Sequence, residues 1–217
     1  MTRLRHDFAN REALAKTLAA KVASALSRCI TQKGSATLAV SGGTTPAAFF
    51  EQLSHQQITW EKVAVTLVDE RQVPDDNSRS NALLVKASLL RNAAKAAKFI
   101  PLYKNPGAEK LNLDVVVLGM GGDGHTASFF PGGDNLAAAL SLQNTKAILA
   151  MNAPTAGEPR LTFSLAKLLA ASALFLHIEG REKQIVLDQA NADADVMAMP
   201  IRAVLQSKKP LHIYWCP

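Results

Sequence analysis

Three stretches of this chain combine glycine, hydroxyl and charged residues in ways that suit anion capture and proton transfer. Gly119-Met-Gly-Gly-Asp-Gly-His125 presents a histidine just behind an aspartate on a glycine-rich loop. A neutral imidazole accepts a proton near pH 7, which fits His125 for general-base work. Asp123, two residues earlier, is placed to orient the ring and stabilise the imidazolium. In Ser41-Gly-Gly-Thr-Thr-Pro46, Gly42 and Gly43 let backbone N–H groups approach a ligand with no Cβ in the way, and Thr44 and Thr45 add hydroxyls. Pro46 suits the first position of a helix, with Thr45 as its cap. A helix start with free N–H groups attracts negative charge, so this stretch reads as a phosphate cradle. Asp69-Glu-Arg71 sets three charges at the end of an apolar run, and the rigid fork of Arg71 matches a phosphate or a developing oxyanion. Arg160 and Lys183 are further cations, expected in loop or helix-start positions.

Other chemistries fit these residues less well. Gly119 to Gly124 matches G-x-G-x-x-G, but a dinucleotide site needs a long helix next and an acid about 20 residues on. Pro131 arrives too early for that helix, and the following apolar run ends at Met151-Asn152 with no acid in reach. The Ser41 stretch lacks the GK[ST] ending of a Walker loop. No G-x-S-x-G elbow, H-E-x-x-H or paired C-x-x-C is present, so neither a serine hydrolase nor a metal site is expected. His6, His55, His177 and His212 lack a glycine-rich setting. His177 and His212 fall inside apolar runs and read as packing residues.

These residues need a scaffold that brings distant loops together. Leu14, Leu18, Val22, Leu26 and Ile30 recur every fourth residue and predict a long helix, with Asn10 as N-cap and Gly34 as its stop. Short apolar runs follow at 36–40, 63–68, 113–118, 147–151, 173–178 and 211–215, mostly without polar alternation. Strands buried on both faces of a parallel sheet read this way. Helical patterns at 46–53, 81–90, 165–171, 181–190 and 200–206 lie between several of them, and Ser80 is placed to cap the second. The alternation predicts an α/β fold, a doubly wound and mostly parallel sheet covered by helices on both faces. Ligands in such folds bind beyond the carboxyl ends of the strands. The Ser41, Asp69, Gly119 and Gly180-Arg-Glu-Lys183 stretches all stand at such ends.

Composition narrows the class. The 217 residues, 48% hydrophobic, suffice for one core, and a single domain over 1–217 is expected. The net charge of +6 is scattered, with no block interleaved by aromatics, which argues against nucleic acid and suits a small anionic substrate. Cys29 and Cys216 make no disulfide framework, and Cys29 reads as core filler on the apolar face of the first helix. The start, Met1 to Asn10, is polar and unlike a signal peptide, and no run approaches about 18 apolar residues. The expected setting is therefore the cytoplasm, with no membrane partner.

Taken in order and spacing, SGGTTP, VDERQVP followed by Ser80-Asn81, LGMGGDGHTASFFPG, RLTFS and GREK resemble the glucosamine-6-phosphate isomerase/6-phosphogluconolactonase family. The likeness spans roughly residues 36–190, and GMGGDGHTAS is its most specific part. It implies a glucosamine-6-phosphate deaminase-like fold and hydrolysis of 6-phosphogluconolactone to 6-phosphogluconate, without metal or cofactor. It further implies His125 as general base and Arg71 as a substrate-binding arginine, with the Gly42–Thr45 loop, Arg160 and Lys183 holding phosphate and Asp69 in the binding site. A monomer or small homo-oligomer is expected. The Tyr-Trp-Cys-Pro217 end departs from the family, whose chains often finish with an aspartate and small residues. Two rivals remain: a glucosamine-6-phosphate deaminase, with Asp69 or Glu70 moving a proton between C1 and C2, and a non-catalytic phosphosugar sensor.

Overall fold

Asn10 begins the first long element as expected. In a computed structural model describing residues 3–192 and 195–217, the Asn10 side chain accepts from Ala13 N at 2.9 Å and starts α1 (Arg11–Lys33). Gly34 ends the helix in the left-handed region at φ 82°. Leu14, Leu18, Val22 and Leu26 are fully buried, and burial of such side chains is worth about 1.5–3 kcal/mol each. Met1 and Thr2, at the head of the polar start, lie outside the described residues.

Two sheets make up the β-structure. The larger has seven strands: β1 (Arg3–Asp7), β2 (Ala36–Val40), β3 (Val63–Leu67), β5 (Lys98–Phe99), β6 (Val115–Leu118), β9 (Ala173–Glu179) and β10 (Leu211–Cys216). Their order is β1-β10-β9-β6-β2-β3-β5, and every pairing is parallel. Helices supply the crossovers: α2 (Ala47–Ser54), α3 (Asn81–Ser88), α4 (Leu136–Leu140), α5 (Leu165–Leu169), α6 (Arg181–Ala190) and α7 (Ile201–Leu205). One helical layer is α1 against α2, with α1 on β2, β6 and β10; a second groups α5, α6 and α7, with α6 on β9. The smaller sheet is antiparallel, β4 (Asp69–Arg71), β8 (Arg160–Phe163) and β7 (Ile148–Met151).

The fold class is the expected one, with three local differences. The 147–151 run joins the small antiparallel sheet rather than the parallel one. Asp69-Glu-Arg71 is a short strand and not a turn. An edge strand, β1, occupies the polar start, where only one side packs and the apolar signal is weak.

The chain leaves β2 toward β3 and β5, then returns to β6 on the other side of β2. A crevice therefore opens between the ends of β2 and β6, the switch point of this sheet. Val40, Leu67, Val117 and Phe175 form one row across the sheet. Two residues further along each strand come Gly42, Asp69, Gly119 and His177, at one end of the molecule.

Candidate active site

A cavity of about 250 Å³ occupies the switch point. Its walls include Gly42, Gly43, Thr44, Thr45, Asp69, Arg71, His125, Arg160 and Lys183. Two loops, two short strands and the start of α6, all far apart in sequence, thus meet around one volume, and every expected binding residue lines it.

The glycine-rich loop is tied down at its base. Ser41 N donates to Val117 O at 3.0 Å, and Ser41 Oγ accepts from Gly119 N at 2.9 Å. Within the loop, Gly121 N donates to His125 O at 2.8 Å, so the chain doubles back and sets Asp123 beside the ring. Asp123 Oδ1 lies 2.5 Å from His125 Nδ1 and accepts from His125 N at 3.1 Å. A carboxylate only accepts, so Nδ1 carries the proton and Nε2 is left as the basic atom. Burial would raise the Asp123 carboxyl, but the hydrogen bond and charge of His125 outweigh it and hold it at about 2. Asp123 itself stands in the loop at the cavity's edge rather than in its wall.

Two features keep the pair in place. The His125 ring rests against Phe130, with centroids 4.4 Å apart. A Cβ on Gly121 would sit 2.1 Å from His125 Nδ1 and 2.7 Å from Asp123 Oδ1, so the close approach of backbone to ring demands glycine. Beyond His125, Ala127 takes φ 49°, a left-handed backbone costing roughly 1–2 kcal/mol for a residue with a Cβ. The Phe129 N to Thr126 O bond at 3.0 Å closes the turn around it.

The Gly42–Thr45 turn differs in one detail from expectation. Thr45 does not cap α2; the cap position falls on Pro46, in the α region and with no side-chain cap bond. The first amides of α2 therefore keep their hydrogen-bonding capacity for a ligand. Gly42 is also held to glycine by contact: a Cβ there would lie 2.0 Å from Asn81 Oδ1.

Each charge of Asp69-Glu-Arg71 has its own task. Glu70, 2% exposed, accepts from Arg71 N, Asn81 N and Ala82 N at 2.7, 2.8 and 2.7 Å and so fastens β4 to the start of α3. Burial pushes its carboxyl up despite those three donors. Ser80 caps α3 as expected, accepting from Leu83 N at 3.2 Å. Asp69 Oδ2 accepts from Ser128 Oγ at 2.6 Å and lies 3.7 Å from Arg160 Nη1. Arg71 Nη1 donates to Arg79 O at 2.5 Å and Asn81 Oδ1 at 2.8 Å.

Arg160 is a correction to the sequence reading: it is no loop residue but the first of β8, paired with Arg71 across the antiparallel ladder and 7% exposed. Its Nη2 donates to Ala156 O at 2.7 Å, and its guanidinium lies 5.3 Å from the Phe130 centroid. Burial lowers its affinity for the proton, opposed by Asp69. The Nε atoms of Arg71 and Arg160 are both buried without a hydrogen-bond partner among the described residues. Two guanidiniums with spare donors at one cavity suit an anion. Lys183, third residue of α6, stands opposite, its ammonium disfavoured by burial and favoured by Asp123 and Glu182.

Sequence reasoning passed over His177, Asn81 and Phe130. His177 lines the cavity, 3% exposed, with Nε2 3.0 Å from Glu179 Oε1 and its ring edge-on to Phe49. Its place near the end of an apolar strand was the available signal. Asn81 donates to Asp69 O at 2.9 Å while accepting from Arg71, so it fastens the start of α3 to both ends of β4.

Known proteins resemble this chain along nearly its whole length. The family model described as "Glucosamine-6-phosphate isomerases/6-phosphogluconolactonase" matches residues 9–215. The 6-phosphogluconolactonase of Rhizobium meliloti (strain 1021) is 49% identical, the alignment covering 98% of either chain. That of Mesorhizobium japonicum is 50% identical, covering 97% of this chain and 94% of the relative. The crystal structure of a 6-phosphogluconolactonase from Shewanella baltica superposes with TM-score 0.94 at 41% identity, covering 100% of this chain and 98% of the other. A monomeric glucosamine-6-phosphate deaminase of known structure, 17% identical with TM-score 0.76, shares the fold. With the match running nearly end to end, the chain belongs to the glucosamine-6-phosphate isomerase/6-phosphogluconolactonase family.

Proposed function

We propose that this chain hydrolyses 6-phospho-D-glucono-1,5-lactone to 6-phospho-D-gluconate, the lactone step of the oxidative pentose phosphate pathway, with His125 as general base. The observation that carries the reading is the 2.5 Å Asp123–His125 pair at a cavity whose wall also carries Arg71, Arg160, Lys183 and the Gly42–Thr45 turn. Close relatives named 6-phosphogluconolactonase support the same substrate. The substrate phosphate, carrying about −1.5 to −2 charge at pH 7, sits on the Gly42–Thr45 amides with Lys183 and Arg160. That anchor aims C1 at His125. Nε2 takes a proton from water as the oxygen attacks C1, and Arg71 or the loop amides stabilise the tetrahedral oxyanion. The C1–ring oxygen bond then breaks, and His125 returns its proton to the departing oxygen. The new carboxyl ionises and releases one proton to solvent.

The geometry disfavours the deaminase rival. Glu70 is occupied by three backbone donors, and Asp69 by Ser128 and Arg160, so neither acid is free to shuttle a proton between C1 and C2. The test is proton release from freshly generated lactone, corrected for spontaneous opening, for wild type and His125→Ala side by side. Acceleration by the wild type with a loss of about 10²–10⁴-fold in kcat for the variant is expected. Ammonia release from glucosamine 6-phosphate with no lactone acceleration would overturn the reading.

A further inference from the structure

A second cavity, also about 250 Å³, lies between α1 and the β1–β10–β9 side of the large sheet and shares no lining residue with the first. Its polar lining is His6, Lys21, Ser24, Arg28, His212 and Tyr214, with no carboxylate. Lys21, Ser24 and Arg28 fall at i, i+3 and i+7 of α1 and so share one face of the helix. Among the described residues neither Lys21 nor Arg28 has an ion-pair or hydrogen-bond partner. Lys21 and Arg28 are exposed and two turns apart, so together they hold an unopposed positive field over the cavity, which attracts an anion.

The opposite wall points the same way. Tyr214 is 1% exposed, packed by its ring against His6 and Phe8, yet its hydroxyl has no hydrogen-bond partner among the described residues. That oxygen is not sealed from solvent, so it stands at the cavity wall with its hydrogen free to donate to an anion. Beside it, the rings of His6 and His212 lie 7° from parallel, with His6 Nε2 3.2 Å from His212 Nδ1. Only one of those two nitrogens carries the bridging proton; the accepting ring has its own proton on its outer nitrogen and can donate from there, while the other outer nitrogen donates only when that ring is protonated.

We propose that this cavity is a binding site for a small phosphate-bearing dianion, inorganic phosphate or a short phosphate monoester. Lys21 and Arg28 supply the charge, and Tyr214 with the His6–His212 pair supplies the hydrogen bonds. Three equatorial oxygens and a double charge match this donor set better than a single carboxylate does. The groups facing the histidine pair are Lys21 and Arg28 from α1, Phe175 from β9 and Tyr214 from β10, all neutral or positive. Burial, His6 and Lys21 disfavour a proton on His212 in the empty cavity. A bound dianion reverses that balance, so anion and proton bind cooperatively and affinity rises as pH falls through the imidazole range. The site is independent of the lactonase reading.

The experiment follows the ring C–H resonances of His6 and His212 by NMR, assigned with His6→Gln and His212→Gln, during titration with sodium phosphate or glycerol 3-phosphate at constant ionic strength. Saturable shifts at both rings are expected, tighter at pH 6 than at pH 8. The double variant Lys21→Gln/Arg28→Gln, on the exposed side of α1, should weaken binding by tenfold or more while the shift of His125 persists. Tyr214→Phe should weaken it severalfold. Shifts at His125 alone, shifts unchanged in the double variant, or equal shifts with succinate would each overturn the proposal.

Discussion

Gly121→Ala tests the proposed catalytic loop at a single atom. The added Cβ would stand 2.1 Å from His125 Nδ1, 2.2 Å from His125 Cε1 and 2.7 Å from Asp123 Oδ1, where ordinary contact begins at 3.4 Å. The ring must retreat by about 1.3 Å, and the carboxylate by about 0.7 Å, before the methyl fits. The pair is about a third exposed, so it has room to swing outward and the fold need not give way. Gly121 does not take a positive φ, so no backbone penalty accompanies the change. A misplacement of about 1 Å at a reacting group costs on the order of 10²-fold in rate. The expected result is therefore a fall of about 100-fold in kcat for lactone hydrolysis, with KM changed only a few-fold and the melting temperature within a few degrees of wild type. Gly122→Ala is the matched control: its Cβ meets only Lys183 Nζ, at 3.8 Å, and activity should remain near wild type. A Gly121→Ala enzyme with full kcat would refute the claim that this pair, in this position, performs the proton transfer.

Three further outcomes follow from the same geometry. The Asp123 carboxyl, at about 2 in the folded chain, binds its proton less readily than in the unfolded chain, where it titrates near 3.8. Its stabilisation is complete above that value and fades as pH falls toward 2; discounted for exposure it is on the order of 1 kcal/mol, so Asp123→Asn should flatten the acid limb of unfolding free energy measured by urea denaturation between pH 4 and 2. Lys183→Ala should raise KM at least severalfold with a smaller effect on kcat in steady-state assays, because the proposed function gives its charge to phosphate binding and not to the proton transfer. Glu70→Ala strands three buried backbone donors, and a loss of about 3 kcal/mol or more in chemical denaturation is expected, whereas a neutral outcome would show that water replaces the carboxylate there.

The chain's local patterns were enough for much of this. The four-residue stripe of α1, its Asn10 and Gly34 ends, the apolar runs of β2, β3, β6, β9 and β10 and the polar residues after them are readable because period and capping are short-range properties. His125, Asp123, Gly42, Gly43, Thr44, Thr45, Arg71 and Lys183 stood out for the same reason, each adjacent to a legible strand end or helix start. β1 and β8 were missed. An edge strand has one packed side, and a strand that buries Arg160 against Asp69 and Phe130 shows no apolar alternation. Which charges meet was likewise hidden. Glu70 turns to backbone, Asp69 to Ser128, and Asn81 ties the start of α3 to both ends of β4, across intervals that no local pattern encodes. His177 and His212 read alike in apolar strands, yet one lines the first cavity and the other pairs with His6 in the second. Sequence determined the elements, because hydrogen bonds and side-chain periods act within a few residues. Tertiary structure decided the partnerships, because strand order and register alone set which side chains share a cavity.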